Sequence, residues 1–473
     1  MSQSPVLLPG ATIGIFGGGQ LGRLTAMAAR TMGYRIHVLD PDPGCPARFV
    51  VDQCVEAAWD DAREAARLAR GCDVITLEIE QISLASMNAA GSFAPVRPSE
   101  GLLAIIQDRV EQKNWLARNG FPVGPYRAVR SLDELREAIT ALGGRCFCKS
   151  ATGGYDGRGQ GKVGFKSNPN SSGAPFMERS DMSGEVSDTE LHGAWEALGS
   201  GPGIVEQAID LDREISVLVA RSPRGEVKVY PAAWNYHENQ ILAWSVLPAP
   251  LPEKLATEAR ELASSIADTL SLEGILAVEM FVTKDGRLLV NELAPRPHNS
   301  YHASERACVT SQFEQLVRAV CNLPLGSPDV VQPCAIANLL GEVWLQPADS
   351  SPNSPGAPFI ERSEMSGNVD SSGAPSHAQY EVGGVAAGFS PRLSSPFKGG
   401  ALAGCPTSLG DVGSGKPTPR TPHFDRALAV PGVRLHLYEK LRPRKGRKMG
   451  HLSAVGSTPE EAVNLVLRAQ SLL

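Results

Sequence analysis

The chain has 473 residues, of which 42% are hydrophobic and 20% are charged, and its formal net charge at pH 7 is −6. This length predicts about three domains, each with enough apolar residues to form a core. The negative net charge gives no electrostatic footprint for nucleic acid, and no apolar run in the sequence approaches the roughly eighteen residues of a membrane span. We therefore expect neither nucleic acid nor a membrane as a partner.

The cysteines and the first residues predict a cytoplasmic protein. Nine cysteines are scattered along the chain without a Cys-x-x-Cys pair, so reduced thiols are expected rather than a disulfide framework or a zinc site. The N-terminal sequence MSQSPVLLPGATIGIF has no basic stretch ahead of its apolar residues, which argues against a secretory signal.

The N-terminal region has the order strand, glycine turn, helix and second strand. Residues 11–16 are apolar, residues 17–22 read GGGQLG, a helix is predicted over residues 23–32, and Asp40 closes the next strand. This order is typical of a Rossmann unit that binds a nicotinamide dinucleotide. The same turn and helix N-terminus could instead hold a different phosphate, or none.

Two carboxylates, Glu78 and Glu80, lie near the end of a third predicted strand, residues 74–79. Their spacing of two residues puts them on one face of the strand. They also lie at the edge where open α/β sheets bind ligands, which favours a functional role. The alternative is a solvated strand end without a ligand.

A second glycine-rich segment, TGGYDGRGQGK at residues 152–162, follows a short predicted strand that ends at Lys149. Its backbone N–H groups could surround phosphate oxygens, although a glycine-rich hairpin without a ligand has the same composition. The segment does not match the Walker pattern G-x-x-x-x-G-K-[ST]. Lys149 ahead of the loop and the acidic motifs downstream favour a loop that binds ATP.

An acidic hairpin is predicted further along the chain. A strand over residues 274–282 carries Glu279, a Lys-Asp-Gly turn follows, and the returning strand ends at Asn291 and Glu292. Carboxylates on facing arms can bind a hard cation such as Mg²⁺ together with phosphate oxygens, whereas two like charges without a cation would destabilise the hairpin. The next, proline-bounded loop adds three polar residues: Arg296, His298 and Asn299.

Two segments rich in serine, proline and glycine, residues 167–184 and 350–367, match at fourteen of eighteen positions. The second begins a longer tract of similar composition, and low hydrophobicity of this kind predicts no packed core. Both are therefore expected to be insertions in surface loops. We predict domains at residues 1–108, 109–345 and 346–473, with a low-complexity insertion at about 167–190 and a disordered insertion at about 347–421.

Eight sequence motifs, in this order along the chain, resemble those of a known enzyme family: GGGQLGR, QDR, TGGYDGRGQ, VEQAI with EIS, NELAPRPHNS, SQFEQLVRAV, PGVRLHLY and GRKMGH. The chain resembles the family of 5-(carboxyamino)imidazole ribonucleotide synthases, ATP-grasp enzymes of purine biosynthesis, over nearly everything except the two insertions. This resemblance implies an α/β ATP-grasp fold with an N-terminal Rossmann-like pre-ATP-grasp domain and a small C-terminal domain. It also implies that the N-terminal domain binds substrate rather than a dinucleotide.

The resemblance implies a reaction as well. In this family, ATP activates bicarbonate as carboxyphosphate, which carboxylates 5-aminoimidazole ribonucleotide to give 5-(carboxyamino)imidazole ribonucleotide, ADP and phosphate. The implied cofactors are ATP and Mg²⁺, with Mn²⁺ as an alternative metal. The family is typically homodimeric, so a homodimer is expected here.

The matches to the family motifs assign four groups of residues. ATP would be bound by Arg109, Lys149, Gly154, Tyr155, Asp156, Gly157, Arg158, Gly159, Gln160, Glu206, Gln207, Ala208, Ile209, Glu214, His237, Asn291 and Glu292. Mg²⁺ would be held by Glu279 and Glu292. Bicarbonate and the reacting amine would be surrounded by Glu78, Tyr155, Arg158, Arg296, His298 and Asn299. The ribonucleotide would be bound by Gln20, Lys440, Arg447 and Lys448.

The sequence departs from the family at residues 301–304, which read Tyr-His-Ala-Ser where the family has Gly-His-Trp-Thr. Tyr301 is therefore expected to add bulk beside the site. Three other functions stay open from the sequence: a Rossmann oxidoreductase, a catalytically silent ATP-binding scaffold, and another ATP-grasp ligase such as a formate-dependent transformylase.

Overall fold

A computed structural model of the chain describes residues 5–153, 159–165, 186–238, 240–345, 421–440 and 442–473. The core of each predicted insertion and residues 154–158 of the glycine-rich loop lie outside these described residues. A helix begins at Asp188, capped by the Ser187 side chain, close to the predicted end of the first insertion. The predicted domain and insertion bounds stay a prediction.

The N-terminal unit is a four-stranded parallel sheet in the order β3-β2-β1-β4, with helices packed against it. The predicted strand, glycine turn, helix and strand are confirmed, except that the helix begins three residues early, at Gln20. All five residues of the central strand β1 are buried, as expected for a parallel strand covered on both faces. The elements are β1 Thr12–Phe16, α1 Gln20–Thr31, β2 Arg35–Asp40, a 3₁₀ helix Pro46–Val50, β3 Gln53–Glu56, α2 Ala62–Ala69, β4 Val74–Leu77, α3 Leu84–Gly91 and α4 Glu100–Gln107.

A second, antiparallel sheet follows, with the strand order β5-β8-β6-β7. Helix α5 precedes the first strand of this sheet. The Asp108 carboxylate caps the N-terminus of α5 by accepting from the Val110 N–H at 2.8 Å. The cap satisfies an N–H group that has no partner within the helix. The elements are α5 Arg109–Arg118, β5 Tyr126–Val129, α6 Leu132–Ala141, β6 Cys146–Ser150, β7 Gln160–Val163, α7 Asp188–Ala197 and β8 Gly203–Gln207.

A nine-stranded sheet forms the rest of the molecule. Its order is β14-β13-β9-β11-β12-β15-β17-β16, with β10 paired to β9. The strands are β9 Leu211–Arg221, β10 Val227–Val229, β11 Ala233–Glu238, β12 Ile241–Leu247, β13 Gly274–Thr283, β14 Leu288–Ala294, β15 Cys334–Leu340, β16 Val433–Leu437 and β17 Lys448–Val455. The helices are α8 Glu253–Thr269, a 3₁₀ helix Asn299–Tyr301, α9 Ser304–Ala307, α10 Gln312–Val320, α11 Glu342–Leu345, α12 Phe424–Leu428 and α13 Pro459–Ser471.

This large sheet joins two of the predicted domains. Strand β15 pairs with β12 on one side and with β17 on the other, so the C-terminal strands continue the sheet that carries the acidic hairpin. The predicted small C-terminal domain therefore has no sheet of its own among the described residues. No helix in the described part of the chain is both long and apolar enough to span a membrane.

A small apolar cluster connects the N-terminal unit to the rest. Leu21 and Leu24 of α1 pack with Phe313 of α10 and with Tyr438, which follows β16. Phe313 and Tyr438 are each 1% exposed, so the cluster is fully desolvated and favours one orientation of α1. It packs α1 against α10 and against the segment that follows β16.

Candidate active site

The glycine turn before α1 is occupied by carboxylates of the protein itself. Glu78, which follows β4, accepts hydrogen bonds from the Gly19 N–H at 2.6 Å and from the Gly22 N–H at 2.7 Å. Asp40 accepts from the Gly18 N–H at 2.7 Å. A helix N-terminus favours an anion, and here an internal carboxylate holds that position. The turn therefore does not offer these N–H groups to a dinucleotide, and the Rossmann oxidoreductase hypothesis loses its binding site.

Burial also changes the acidity of Glu78. Burial, reinforced by the charge of Asp40, raises the pKa of Glu78 to about 7, although the N–H groups of Gly22 and Gly19 favour its carboxylate form. A carboxyl group with a pKa near neutrality can serve in acid–base chemistry.

Glu206 of β8 lies between two lysines. Its carboxylate oxygens are 2.8 Å from Lys113 Nζ and 2.5 Å from Lys149 Nζ, and all three side chains are largely buried. Burial disfavours the charged carboxylate, but the two lysines outweigh it and lower the pKa of Glu206 to about 2. Lys113 was not assigned from the sequence, although its position four residues after Arg109 puts both side chains on one face of α5.

Arg109 connects the start of α5 to the start of the glycine-rich loop. Its N–H donates to the Ala151 carbonyl at 2.8 Å, and its Nη1 donates to the Ser150 carbonyl at 3.0 Å. A small cavity beside these contacts is lined by Arg109, Gln112, Lys113, Lys149, Glu206, Asn291 and Glu292. The structure thus brings together five of the residues that the sequence assigned to ATP.

The other predicted ATP residues lie along the neighbouring strands. The N–H groups of Gln207 and Ala208 donate to the carbonyls of Pro125 and Arg145, so these two backbone donors are engaged within the protein. Gln160 is the cross-strand partner of Lys149, and the Gly159 carbonyl accepts from the Ser150 N–H at 2.8 Å. Ile209 is the second residue after the end of β8. The predictions for the remaining loop residues concern positions outside the described residues: Gly154, Tyr155, Asp156, Gly157 and Arg158.

Glu214 and His237 form a second polar contact on the large sheet. His237 Nδ1 lies 2.8 Å from Glu214 Oε2, and both side chains are largely buried. Burial lowers the pKa of His237, but Glu214 outweighs that effect and the net shift is upward. Both residues were assigned to the nucleotide from the sequence, and the structure makes them neighbours.

The two metal-binding candidates are direct neighbours, as predicted. Glu279 of β13 pairs with Glu292 of β14 in the antiparallel ladder. His298 Nε2 lies 3.0 Å from Glu279 Oε1, while its Nδ1 lies 2.7 Å from Ser300 Oγ. Since an ionised carboxylate only accepts, His298 donates its Nε2 proton to Glu279.

The two carboxylates have opposite protonation tendencies. Burial acts against the charge on Glu279, but His298 outweighs it and lowers the pKa of Glu279 to about 2. Burial and the charge of Glu279 raise the pKa of Glu292. Beside them, Asn291 Oδ1 is buried and has no hydrogen-bond partner among the described residues. A site with a charged carboxylate, a second carboxylate and an unsatisfied amide oxygen suits a hard cation.

Arg296 is held by the second of the two acidic residues that end the third strand. Arg296 Nε lies 2.7 Å from Glu80 Oε1, and its Nη1 donates to the Pro297 carbonyl at 3.0 Å. Glu78 and Glu80 therefore have different partners. Glu78 accepts from the N–H groups of the glycine turn, and Glu80 balances the positive charge of Arg296.

Three residues from the three predicted domains form one hydrogen-bonded chain. Lys440 Nζ donates to Gln20 Oε1 at 2.5 Å, and Gln20 Nε2 donates to Asn299 Oδ1 at 3.2 Å. Lys440 and Gln20 were assigned to the ribonucleotide and Asn299 to bicarbonate. The structure thus connects the two proposed substrate sites through a single glutamine.

Buried aromatic residues continue this chain. His302 Nε2 lies 3.3 Å from Asn299 Oδ1 and 3.3 Å from Tyr438 Oη, and Tyr438 Oη lies 2.7 Å from His451 Nδ1. Because an amide oxygen only accepts, His302 must carry its proton on Nε2. The other ring nitrogen, Nδ1, then carries no proton and can only accept. Within the described part of the chain no group donates to it. Burial lowers the pKa of His302 to about 3, so the ring is neutral.

Asn299 therefore has a defined orientation. Gln20 and His302 both donate to its side-chain oxygen, which leaves its amide N–H groups as the donors for a ligand. Two N–H donors suit an anion with oxygen acceptors. The sequence motifs identified Asn299, but they did not indicate that Gln20 and His302 orient its side chain.

Arg447 and Lys448 lie next to one another at the start of β17. Arg447 Nη1 donates to the Arg442 carbonyl at 3.0 Å. The neighbouring Lys448 is buried, with 6% of its surface exposed. Burial and the charge of Arg444 lower the pKa of Arg447, and Asp42 of the N-terminal unit opposes them. The loop that carries Lys440 and Arg447, here called the basic loop, lies beside the N-terminal unit, because Lys440 contacts Gln20.

The expectation for Tyr301 is wrong. Its side chain is fully buried, and its Oη lies 2.8 Å from the carbonyl oxygens of Ser216 and Pro231 and accepts from the Leu218 N–H at 3.1 Å. The backbone of β9 and the loop after β10 satisfies the phenol, so the ring extends into the core. Tyr301 adds no bulk beside the site.

The fold and site define an ATP-grasp enzyme: basic residues of a small antiparallel sheet face an acidic hairpin of a larger sheet, with a Rossmann-like unit in front. Family models agree with each part. The ribonucleotide synthetase preATP-grasp domain matches residues 10–107, the ATP-grasp domain residues 114–313, and the phosphoribosylaminoimidazole carboxylase C-terminal domain residues 409–464.

Curated relatives and a solved structure narrow the class. The N5-carboxyaminoimidazole ribonucleotide synthase of Brucella melitensis is 40% identical over 336 residues, which cover 71% of this chain and 87% of that protein. The enzyme of the same name from Bacillus subtilis is 40% identical over 337 residues, covering 71% and 83%. A crystal structure of an N5-carboxyaminoimidazole ribonucleotide synthetase in complex with ADP has a TM-score of 0.74 at 33% identity, covering 100% of this chain and 98% of that one. This chain belongs to the N5-carboxyaminoimidazole ribonucleotide synthase family.

Proposed function

We propose that this chain uses ATP and bicarbonate to carboxylate the exocyclic amine of 5-aminoimidazole ribonucleotide in purine biosynthesis, releasing ADP and phosphate. The observation that carries the proposal is the chain Lys440–Gln20–Asn299. It joins a basic, phosphate-suited loop to the edge of the acidic hairpin. An enzyme that transfers a carboxyl group from an ATP-activated anion to a ribonucleotide needs these two sites side by side.

The proposed ATP site lies over the small cavity. Arg109 and Lys149 would bind the phosphates, and the strand residues Glu206 to Ile209 would contact the adenine. Glu214 and His237, which are 2.8 Å apart, would line the nucleotide. Because Lys149 pairs with Glu206, ATP phosphates would compete with that carboxylate for the lysine. Residues 154–160 would cover the phosphates.

Glu279 and Glu292 would hold Mg²⁺, or Mn²⁺ in its place, with help from Asn291. Direct pairing of like charges across the ladder and the unsatisfied Asn291 oxygen support this role. When bound, the metal would neutralise charge on the transferring phosphoryl group. The two carboxylates and the Asn291 oxygen would be its ligands, and the contact with His298 would keep Glu279 ionised.

Bicarbonate would bind beside Asn299, whose amide N–H groups remain available as donors. Arg296 and His298 would complete the anion site, and Glu78, Tyr155 and Arg158 would surround the reacting amine. The γ-phosphoryl group of ATP passes to a bicarbonate oxygen and gives carboxyphosphate. The amine then forms a bond to the carboxyl carbon, phosphate leaves, and the amine loses a proton. Lys149 and Arg109 stabilise the charge that develops during phosphoryl transfer.

The ribonucleotide would place its 5′-phosphate at Lys440, Arg447 and Lys448, with Gln20 beside it. The family resemblance also favours a homodimer, which light scattering would test. All eight cysteines among the described residues are free thiols, which supports a cytoplasmic location.

An ADP-release assay tests the proposal. The enzyme is given ATP, Mg²⁺ and bicarbonate, with and without 5-aminoimidazole ribonucleotide, and ¹⁴C-bicarbonate incorporation is followed in parallel. We expect ADP and labelled product in equal amounts, both dependent on the ribonucleotide. Formate in place of bicarbonate should give no product. Formylated product would identify a transformylase, a change in NADH absorbance an oxidoreductase, and ATP binding without ADP release a silent scaffold.

A further inference from the structure

Two cysteines of the N-terminal unit lie close enough to react with one another. Cys45 Sγ is 3.8 Å from Cys54 Sγ. Cys45 precedes the 3₁₀ helix and is 1% exposed, whereas Cys54 lies on β3 and is partly exposed. One thiol is therefore accessible to a small oxidant, and its neighbour is shielded behind it.

The buried thiol packs directly under the glycine turn. A Cβ atom added to Gly18 would lie 2.5 Å from Cys45 Sγ, so the sulfur fills the space that a side chain would need. The Ala47 N–H donates to the Gly18 carbonyl at 2.8 Å, which fastens the Cys45 segment to the turn. The side chain of Gln20 extends from the same turn toward Lys440.

The two thiols differ in acidity in a way that suits stepwise oxidation. The contact between the two sulfurs lowers the pKa of Cys54, and the charge of Arg48 acts in the same direction. That same contact, together with burial, raises the pKa of Cys45. Cys54 is thus the thiolate that an oxidant meets, with a resolving thiol beside it, which is the usual arrangement of an oxidation-sensitive pair.

We infer that Cys45 and Cys54 form an intramolecular disulfide when the protein meets a peroxide, and that this bond weakens ribonucleotide binding. The Cys54 thiolate attacks one oxygen of hydrogen peroxide, so that an S–O bond forms, the O–O bond breaks and hydroxide leaves. The Cys45 sulfur then attacks Cys54, the S–O bond breaks, and the hydroxyl group leaves with the Cys45 proton as water. Two thiols and one peroxide give one disulfide and two waters.

The effect on binding rests on the proposed function. An S–S bond is about 2 Å long, so Cys45 must move toward Cys54 and away from Gly18. The glycine turn would then lose the packing of the Cys45 sulfur against Gly18. Gln20, which follows this turn, would be held less firmly against Lys440. The Michaelis constant for the ribonucleotide should therefore rise several-fold, while that for ATP, which lies over the small antiparallel sheet, should not change.

Peptide mapping tests the bond itself. Reduced full-length protein is treated with hydrogen peroxide, free thiols are alkylated, and the chain is digested with trypsin without reduction. We expect a cross-linked species joining the peptides 36–48 and 49–63, which dithiothreitol removes. Cys45→Ser and Cys54→Ser should lack it, and Cys72→Ser, a thiol in the same unit, should keep it. Over-oxidation of Cys54 without a cross-link, or cross-links only between other cysteines, would overturn the inference.

Steady-state kinetics on the oxidised protein test the consequence. The ribonucleotide Michaelis constant should rise in the wild type and in Cys72→Ser, but not in Cys54→Ser treated in the same way. An unchanged constant in cross-linked wild type would overturn the link to ribonucleotide binding. Because the cross-link is read by mass spectrometry, its absence would leave the ligase activity of the reduced enzyme untouched, so the two proposals fail separately.

Discussion

Glu279 and Glu292 face each other directly across the β13–β14 hairpin. His298 keeps the first charged, and burial together with that charge favours a proton on the second. Such a pair is costly to keep in a folded protein unless a ligand uses it. The strain at this position is the strongest physical argument for a cation between the two strands.

Replacing Glu292 with glutamine should abolish ADP formation and leave the fold intact. The change removes one anionic oxygen at nearly constant volume, and we expect a loss of at least about 3 kcal/mol in transition-state stabilisation, or about 10²-fold in rate. The melting temperature should stay the same or rise because the like-charge contact is relieved, and Mg²⁺ should no longer raise it. Asp285→Asn, in the turn of the same hairpin, is the matched control. Near-normal activity of Glu292→Gln would refute the metal assignment.

Glu206→Gln should destabilise the protein in a pH-dependent way. The folded-state pKa of Glu206 is about 2, below its ordinary 4.5, so its stabilisation is present above pH 4.5 and is lost as the pH falls toward 2. At pH 7 the variant should lose about 3 kcal/mol of unfolding free energy, because two lysines are left without their partner. Urea titrations at decreasing pH should show this difference shrinking.

The control for Glu206 is Glu258→Gln on the exposed face of α8, 3.9 Å from Lys254. An exposed pair contributes little, so that variant should differ from the wild type by less than about 1 kcal/mol at every pH. A constant difference for Glu206→Gln across the pH range would contradict the buried ion pair.

Arg447→Ala should weaken ribonucleotide binding specifically. A guanidinium matches a phosphate bidentately, and the loss of a charged hydrogen bond costs about 1.5–3 kcal/mol. The Michaelis constant for the ribonucleotide should therefore rise by about 10- to 100-fold, while that for ATP barely moves. Arg444→Ala, an exposed arginine three residues earlier in the same loop, is the control. A selective loss of ATP affinity would show that the second substrate binds elsewhere.

Tyr301→Phe should affect stability and not catalysis. The hydroxyl serves backbone groups of Ser216, Leu218 and Pro231, and leaving buried groups unsatisfied costs about 1–3 kcal/mol. The melting temperature should fall, and the Michaelis constants for all three substrates should match those of the wild type. A raised constant for bicarbonate with unchanged stability would return Tyr301 to the site.

Local spacing predicted some parts of the site well. The Glu279–Glu292 pair follows from a short hairpin turn and the two-residue period of strands, which together fix which side chains oppose one another. The strand, glycine turn and helix at residues 12–31 follow from composition in the same way. Both predictions needed only residues that are near in sequence.

The misses are contacts between distant segments. Lys113 reaches Glu206 only because β8 pairs with β6 beside α5, and that sheet order cannot be read from spacing. The same holds for His302, whose partner Tyr438 lies in another part of the chain. The direction of the Tyr301 ring was missed because its hydrogen-bond partners belong to β9 and the loop after β10, 70 to 85 residues earlier in the chain.

The orientation of Asn299 should depend on His302, which makes His302 a positioning residue for bicarbonate. With His302 replaced by alanine, Asn299 keeps only the donor from Gln20 at 3.2 Å, and its amide can turn its oxygen toward the anion. The loss of one neutral hydrogen bond costs about 0.5–1.5 kcal/mol, so the Michaelis constant for bicarbonate should rise by about two- to tenfold. The constant for ATP should stay unchanged.

A conservative variant separates positioning from packing. His302→Gln places an amide N–H near the lost Nε2–H and should restore the bicarbonate constant, even if the melting temperature stays lower because the stacking of His302 on His451 is lost. His192→Ala, on the surface helix α7, controls for the removal of a histidine as such. If alanine and glutamine at position 302 lower stability equally and neither changes the bicarbonate constant, His302 serves only the core, and Asn299 is oriented by Gln20 alone.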